Sequence, residues 1–381
     1  MQTINFLTGN FMPENCAGTN RILSLVKVLE KKYKVNIFCI TERGKPQKNQ
    51  KVKYSENIDV YYIDQRYYDG EKFYARALHE FYYAFKLTVK SNKVPADITI
   101  ATSPQMFIIP CVALFGQGKR IIDVRDLVWE YIAENSTYRS IIKKVITELM
   151  KLTLKRYEQI TVTNDHEFKW IEEYVSQDNI TKITNGIEIA TFRQLKELKK
   201  NDNKRFTVTY IGNVGIAQNI KTLIDVAKLL KGIKVNIIGT GNRYNQLKAY
   251  VHKNRIFNVE FFGRVQRDKM IDFYQESSVL FAQLDETFKA AMPSKLYEYA
   301  STGLPIIYAG EGIAREFVDK LENCTTINPG DMKALERAII KYRDAEFAIS
   351  EKNKIVVEEN FIRESQSEKM VDIVDKLILE K

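Results

Sequence analysis

In the segment MPSKLYEYASTGLPIIYAG, Ser294, Lys295, Leu296 and Glu298 have side chains and spacing suited to holding a ligand. Pro293 and Ser294 suit a helix start, so the N–H groups of Ser294, Lys295 and Leu296 are expected to be free, with the Glu298 carboxylate one turn later. Helix-start amides and a lysine ammonium can hold a pyrophosphate, and a carboxylate can accept hydrogen bonds from two neighbouring hydroxyls of a ribose. Glu298 stands between Leu296 and Ala300, where burial is costly unless the carboxylate is paired or bound to a ligand. The alternative is a partly exposed glutamate that merely complements the helix start.

Such a helix needs a sheet to hold it. Short β-branched runs alternate with amphipathic stretches along all 381 residues, the pattern of parallel α/β architecture. The strands expected in the first half are INFLTG, VNIFCIT, DVYYID, DITIAT, RIIDVRD, QITVTN and KITNGI. Those in the second half are FTVTYIG, KVNIIGT, VEFFG, VLFAQL, PIIYAG and TTINPG. The charged stretch FRQLKELKKNDNKRF lies between them and reads as a linker. The expected organisation is a Rossmann-like domain over 1–190, a linker over 191–205, a second Rossmann-like domain over 206–360, and a helix over 361–381 packing back on the first domain. Both halves open with a strand, a glycine-bearing loop and a helix, which predicts a cleft where the carboxyl ends of two sheets face each other.

A hydrophobic fraction of 45% without low-complexity tracts indicates a folded chain. The start MQTINFLTGN carries no basic leader, and the longest apolar run, MFIIPCVALFG, is too short to span a bilayer. Cys16, Cys39, Cys111 and Cys324 lie far apart, so neither a disulfide framework nor a zinc site is expected and a reducing cytoplasm suits the chain. The net charge of +10 admits nucleic acid, an anionic membrane or phosphorylated substrates. The basic residues are scattered between acids rather than gathered with aromatics, which argues against nucleic acid.

Taken together, YIGNVGIAQNIKTLIDVAKLL, VNIIGTGNRYNQLKAYV, VEFFGRVQRDKMIDFYQESSVLFAQL and MPSKLYEYASTGLPIIYAG resemble the nucleotide-sugar domain of GT-B glycosyltransferases, specifically glycosyltransferase family 4. In the first half, NCAGTNRILSLVKVLEKKYKVNIFCIT, DVRDLVWE and ITNGIEIATF are similar to the family's acceptor-side segments. The resemblance implies retaining transfer from a nucleotide-activated sugar, with Glu298 on the ribose and Arg264 and Val265 flanking the base. It also implies that Gly241 and Arg243 line the loop beneath the base, and that Gly212, Asn213 and Gly215 form the first phosphate-side loop. Gly18 would face the pyrophosphate from the first domain. Three features depart from the family pattern: Ala290 stands where another glutamate is common, none of His79, His166 and His252 is placed as a family-type catalytic histidine, and GNVGIAQN carries no basic residue. Phosphate charge must then fall on amides around Gly215 and on Lys295 or Arg264.

The branch that builds bacterial capsule or O-antigen repeat units has a similar MPSKLYEY segment. The expected donor is therefore a UDP-sugar, an N-acetylated hexose, and the expected acceptor a lipid-linked saccharide. No further cofactor and no metal are expected, since the sequence offers no Asp-x-Asp pair or histidine cluster. On the acceptor side Asp126 follows a strand and could steer or deprotonate the acceptor hydroxyl; an Arg125–Asp126 structural pair is the other reading. The catalytic candidates are thus Asp126, Lys295 and Glu298. Rival readings are a non-hydrolysing sugar-nucleotide 2-epimerase of the same fold and a catalytically silent sugar-nucleotide-binding partner. Finally, YRSIIKKVITELMKLTLKRYEQI reads as an amphipathic basic helix, either core-packed or lying on the anionic inner face of the cell membrane through Lys143, Lys144 and Lys151.

Overall fold

The computed structural model describes residues 1–13, 17–41, 50–65, 73–132, 134, 136–199 and 205–379. They form two units, Met1–Asn185 with Glu364–Lys381 and Gly186–Arg363.

The first unit runs β1 (Thr3–Thr8), α1 (Ala17–Leu29), β2 (Lys34–Ile40), β3 (Lys51–Lys53), β4 (Ile58–Ile63), α2 (Phe73–Ser91), β5 (Ile98–Thr102), α3 (Ile108–Phe115), β6 (Lys119–Val124), α4 (Thr137–Leu154), β7 (Gln159–Val162), α5 (Asp165–Glu172) and β8 (Ile180–Lys182). The sheet order is β3-β4-β2-β1-β5-β6-β7-β8, parallel except for β3. β5 and β7 are buried along their whole length and β2 along all but its first residue, as expected for a parallel sheet covered on both faces. One face is covered by α2, α3, α4 and α5, and residues of these helices share a single apolar core. On the other face Ile22, Leu25 and Val26 of α1 share a core with Met370, Ile373 and Val374.

The second unit runs α6 (Ile189–Lys196), β9 (Thr207–Ile211), α7 (Lys221–Leu229), β10 (Lys234–Ile238), α8 (Tyr244–Lys253), β11 (Val259–Gly263), α9 (Arg267–Glu276), β12 (Val279–Gln283), α10 (Lys295–Thr302), β13 (Ile306–Ala309), α11 (Ile313–Asp319), β14 (Cys324–Ile327), α12 (Met332–Asp344) and α13 (Glu351–Asn360). Its sheet is parallel throughout, in the order β11-β10-β9-β12-β13-β14. The last helix, α14 (Arg363–Leu379), returns to the first unit.

Three sequence expectations need correction. The stretch expected as linker from residue 191 contains most of α6, because Phe192 and Leu195 are buried one turn apart on one side of it. The strand expected at KITNGI lies earlier, at β8, and residues 183–186 then leave the sheet for the second unit. In α4 the apolar residues divide: Ile146, Met150 and Leu154 are buried, whereas Ile141, Val145 and Leu152 are exposed. Two of the lysines assigned to docking are already engaged, Lys143 with Glu134 at 2.7 Å and Lys151 with Glu148 at 2.8 Å.

Candidate functional site: an unpaired lysine at the start of a helix

The connection from β9 to α7 and the one from β10 to α8 are stitched together at the carboxyl edge of the second sheet. Gly212 donates to the Ile238 carbonyl at 2.8 Å, Val214 to that of Thr240 at 2.9 Å, and Arg243 to that of Val214 at 3.0 Å. Gly241 packs so closely on Val214 and Asn213 that a Cβ would stand 2.4 Å from the Val214 oxygen. Gly212, Asn213, Gly215, Gly241 and Arg243 are thereby brought into one loop pair. The Arg243 side chain turns aside to Gln246 and is exposed. Arg264 and Val265 follow β11 on the same sheet edge. Arg264 is exposed, while Val265 packs against the neighbouring apolar core.

α10 is held against the end of β9 by Tyr299, whose hydroxyl accepts from the Ile211 amide at 2.9 Å. At its far end Gly303 takes a left-handed turn, φ 69°, that lets the chain reverse into β13. At its start Ser294 provides no side-chain cap. The Leu296 amide, expected to be free, donates to the Pro293 carbonyl at 3.0 Å because the first turn tightens. Among the described residues the Ser294 and Lys295 amides remain without acceptors.

Lys295 turns back over this start. Its Nζ is buried without a hydrogen-bond partner and sits 4.0 Å from the centre of the Tyr210 ring. Gly212 has φ 141°, a backbone conformation strained for other residues, and a Cβ there would stand 2.6 Å from Nζ. Burial pulls the Lys295 pKa down to about 7, against a smaller upward pull from Glu298. The Tyr210 face offers the cation partial compensation. A buried, unpaired ammonium is a costly arrangement that an incoming anion would relieve.

Glu298 Oε2 accepts a hydrogen bond from the Tyr274 hydroxyl at 2.8 Å, and Oε1 has no donor among the described residues. Burial pushes its pKa up, while Tyr274 and the cations Arg267, Arg363 and Lys295 pull it back. Both guanidiniums are anchored on Glu188, Arg267 at 2.7 Å and Arg363 at 3.0 Å. Glu298 is thus held by a tyrosine and faced by three cations, rather than being an exposed helix-start carboxylate. The edge can present an ammonium and two amides to a phosphate, and a carboxylate oxygen to a hydroxyl pair.

The remaining candidates lie in the first unit. Gly18 is in the first turn of α1. Asp126 follows β6, half-buried, with its pKa raised by burial and opposed by Arg125. Beside it the buried Glu167 carboxyl is pushed up to about 7 by burial, and it accepts from the Thr163 amide at 2.6 Å. His166 stands 3.2 Å from Glu130 on the same edge. Underneath, Asp123 is fully buried on Arg21 at 2.6 Å and on Thr161 and Thr102, which fixes α1 to the ends of β5, β6 and β7. Tyr210, Tyr274, Arg267, Arg363 and Glu167 were not singled out in the sequence. The partners of Tyr210, Tyr274, Arg267 and Arg363 are remote in the chain, whereas Glu167 has a local signal, since Thr163 and Asn164 bond it within four residues at the start of α5.

Residues 192–361 match the family model described as glycosyl transferases group 1. None of the curated proteins compared with the chain matches it. Among solved structures the chain is similar to sucrose-phosphate synthase from Thermosynechococcus elongatus, at 14% identity and TM-score 0.75 with 100% of each chain covered. It is also similar to α,α-trehalose 6-phosphate synthase from Burkholderia multivorans, at 9% identity and TM-score 0.74 over 100% of each chain. A third is Anabaena Alr3699/HepE in complex with UDP and glucose, at 13% identity and TM-score 0.66, covering 98% of this chain and 100% of that one. The second unit therefore carries a glycosyltransferase group 1 domain, and the chain has the GT-B fold of two Rossmann-like domains.

Proposed function

We propose that the protein is a retaining glycosyltransferase of family 4 that moves a sugar, an N-acetylated hexose, from a UDP-sugar to a lipid-linked saccharide. On this reading it acts in capsule or O-antigen synthesis at the inner face of the cell membrane. The observation that carries the reading is the unpaired Lys295 ammonium at the start of α10, with Glu298 one turn away. The UDP in the HepE structure supports a uridine nucleotide as donor.

In this mechanism the Ser294 and Lys295 amides and the Lys295 ammonium hold the donor diphosphate, and Glu298 holds the ribose. Gly212, Asn213 and Gly215 border the phosphates. Gly241, Arg243, Arg264 and Val265 surround the base. The bond from the anomeric carbon to the phosphate oxygen breaks as the acceptor oxygen bonds to the same face of that carbon. The acceptor proton passes to the leaving phosphate, and Asp126 steers the acceptor hydroxyl. Cations placed where the leaving charge develops lower the barrier.

Incubation with UDP-sugars and a lipid-linked saccharide, read by mass spectrometry and NMR, tests the assignment. A glycosylated product that keeps the donor's anomeric configuration is expected, and its formation should survive EDTA because Lys295 and the amides carry the phosphate charge. An inverted product would refute retention. Loss of activity in EDTA, restored by added metal, would refute the role given to Lys295. An epimerised donor or no reaction would favour the two rival readings.

A further inference from the structure

We infer that the α2–α3–α4 face of the first unit is a membrane-docking surface that inserts apolar side chains among anionic lipids, with α2 as its main contact. The inference rests on the lipid-linked acceptor proposed above, since an enzyme acting on an anchored substrate gains from staying at the bilayer.

α2 packs on the sheet with Tyr83, Ala84 and Leu87. Its opposite side leaves Leu78 67% exposed, Phe81 45%, Tyr82 55%, Phe85 40% and Val89 40%. Residues 78, 81, 82, 85 and 89 fall on one helical ridge. Phe85 meets the exposed Phe115 of α3 edge-on, with ring centres 5.6 Å apart, so the ridge continues onto the next helix. On the other flank of α3, α4 presents a second ridge of Tyr138, Ile141, Val145 and Leu152, each more than half exposed. Core-packed amphipathic helices do not leave such rows in water, and a contiguous apolar patch of this kind marks an interaction surface.

The charges select the occupant. The acid within α2, Glu80, is turned inward to accept from the Met106 and Phe107 amides ahead of α3. The charged side chains left exposed on α2 are Arg76 and Lys86. On α4 Lys144 is exposed, with Lys155 and Arg156 directly after the helix, while the exposed Glu148 is neutralised by Lys151. A second copy seated by two-fold symmetry would bring two copies of this cationic face together. An anionic lipid surface answers them, and tyrosines and long basic side chains at the rim suit the headgroup layer. None of the helices among the described residues is long and apolar enough to cross a membrane, so attachment would be peripheral.

The test is co-sedimentation of the whole protein with phosphatidylglycerol–phosphatidylcholine vesicles. The parent should bind, more weakly as phosphatidylglycerol is withdrawn. The triple variant Leu78→Ser/Phe81→Ser/Phe85→Ser should bind about tenfold or more weakly. UDP affinity, a property of the second unit, should be unchanged in that variant. UDP binding that is absent in both proteins would count against the transferase reading and leave the vesicle result to stand by itself. Equal vesicle binding by parent and variant, or none by the parent, overturns the docking proposal. A parent dimer that the variant abolishes, without vesicle binding, would overturn it in favour of a second copy. Should the triple variant fail to fold, Phe81→Trp provides an independent measurement. Lipids brominated in their chains should quench its added fluorescence beyond that of Trp129 and Trp170 in the parent, and unchanged quenching overturns the proposal.

Discussion

Glu298→Ala should lower UDP affinity at least about tenfold, because it removes two charge-assisted hydrogen bonds to the ribose worth about 1.5–3 kcal/mol each. The loss should appear equally for UDP and for uridine, since the ribose is common to both. Tyr274 would lose its 2.8 Å acceptor, so a modest fall in thermal stability should accompany it. Calorimetric titration separates the two effects. A destabilised variant that binds UDP and uridine as the parent does would make Glu298 a purely structural partner of Tyr274.

Lys295→Met should act in the opposite sense on stability and more strongly on diphosphate binding. The ammonium is buried without a hydrogen-bond partner, so replacing it with an apolar side chain of similar length should raise the ligand-free melting temperature. The sign with pH follows from a folded pKa of about 7 against the ordinary 10.5. Holding the charged lysine costs most below pH 7, and the cost fades as pH rises toward the ordinary lysine value. The stabilisation by methionine should therefore be larger at pH 6 than at pH 9. UDP affinity should fall by about ten- to a hundredfold, with uridine little affected. Near pH 8 the free lysine is mostly neutral, so UDP binding by the parent should take up about one proton. Titration in buffers of different ionisation enthalpy measures this uptake, which Lys295→Met should abolish. No uptake in the parent, or a variant that binds UDP normally, would remove Lys295 from the site.

Most parallel strands were legible because central ones such as β5, β7, β9 and β12 are buried throughout and read as short apolar or β-branched runs, whereas β8 has only three residues, one of them exposed. β3 was not, being a three-residue antiparallel edge strand whose side chains are all exposed. α6 was obscured by the charged residues within and after it, although Phe192 and Leu195 are three residues apart. Within the site, Ser294, Lys295 and Glu298 could be read together because one helix start carries all three. The features that give them their character come from elsewhere in the chain. Tyr210 lies on β9, Tyr274 on α9, and Arg363 at the last crossing of the chain. The tightened first turn that occupies the Leu296 amide depends on local geometry that residue types alone leave open.

The most direct measurement is a crystal structure of the whole protein soaked with UDP. Diphosphate oxygens should lie within hydrogen-bonding distance of Lys295 Nζ and the Ser294 and Lys295 amides, with the ribose hydroxyls on Glu298. A nucleotide bound elsewhere with Lys295 still unpaired, or no nucleotide at saturating UDP, would contradict it.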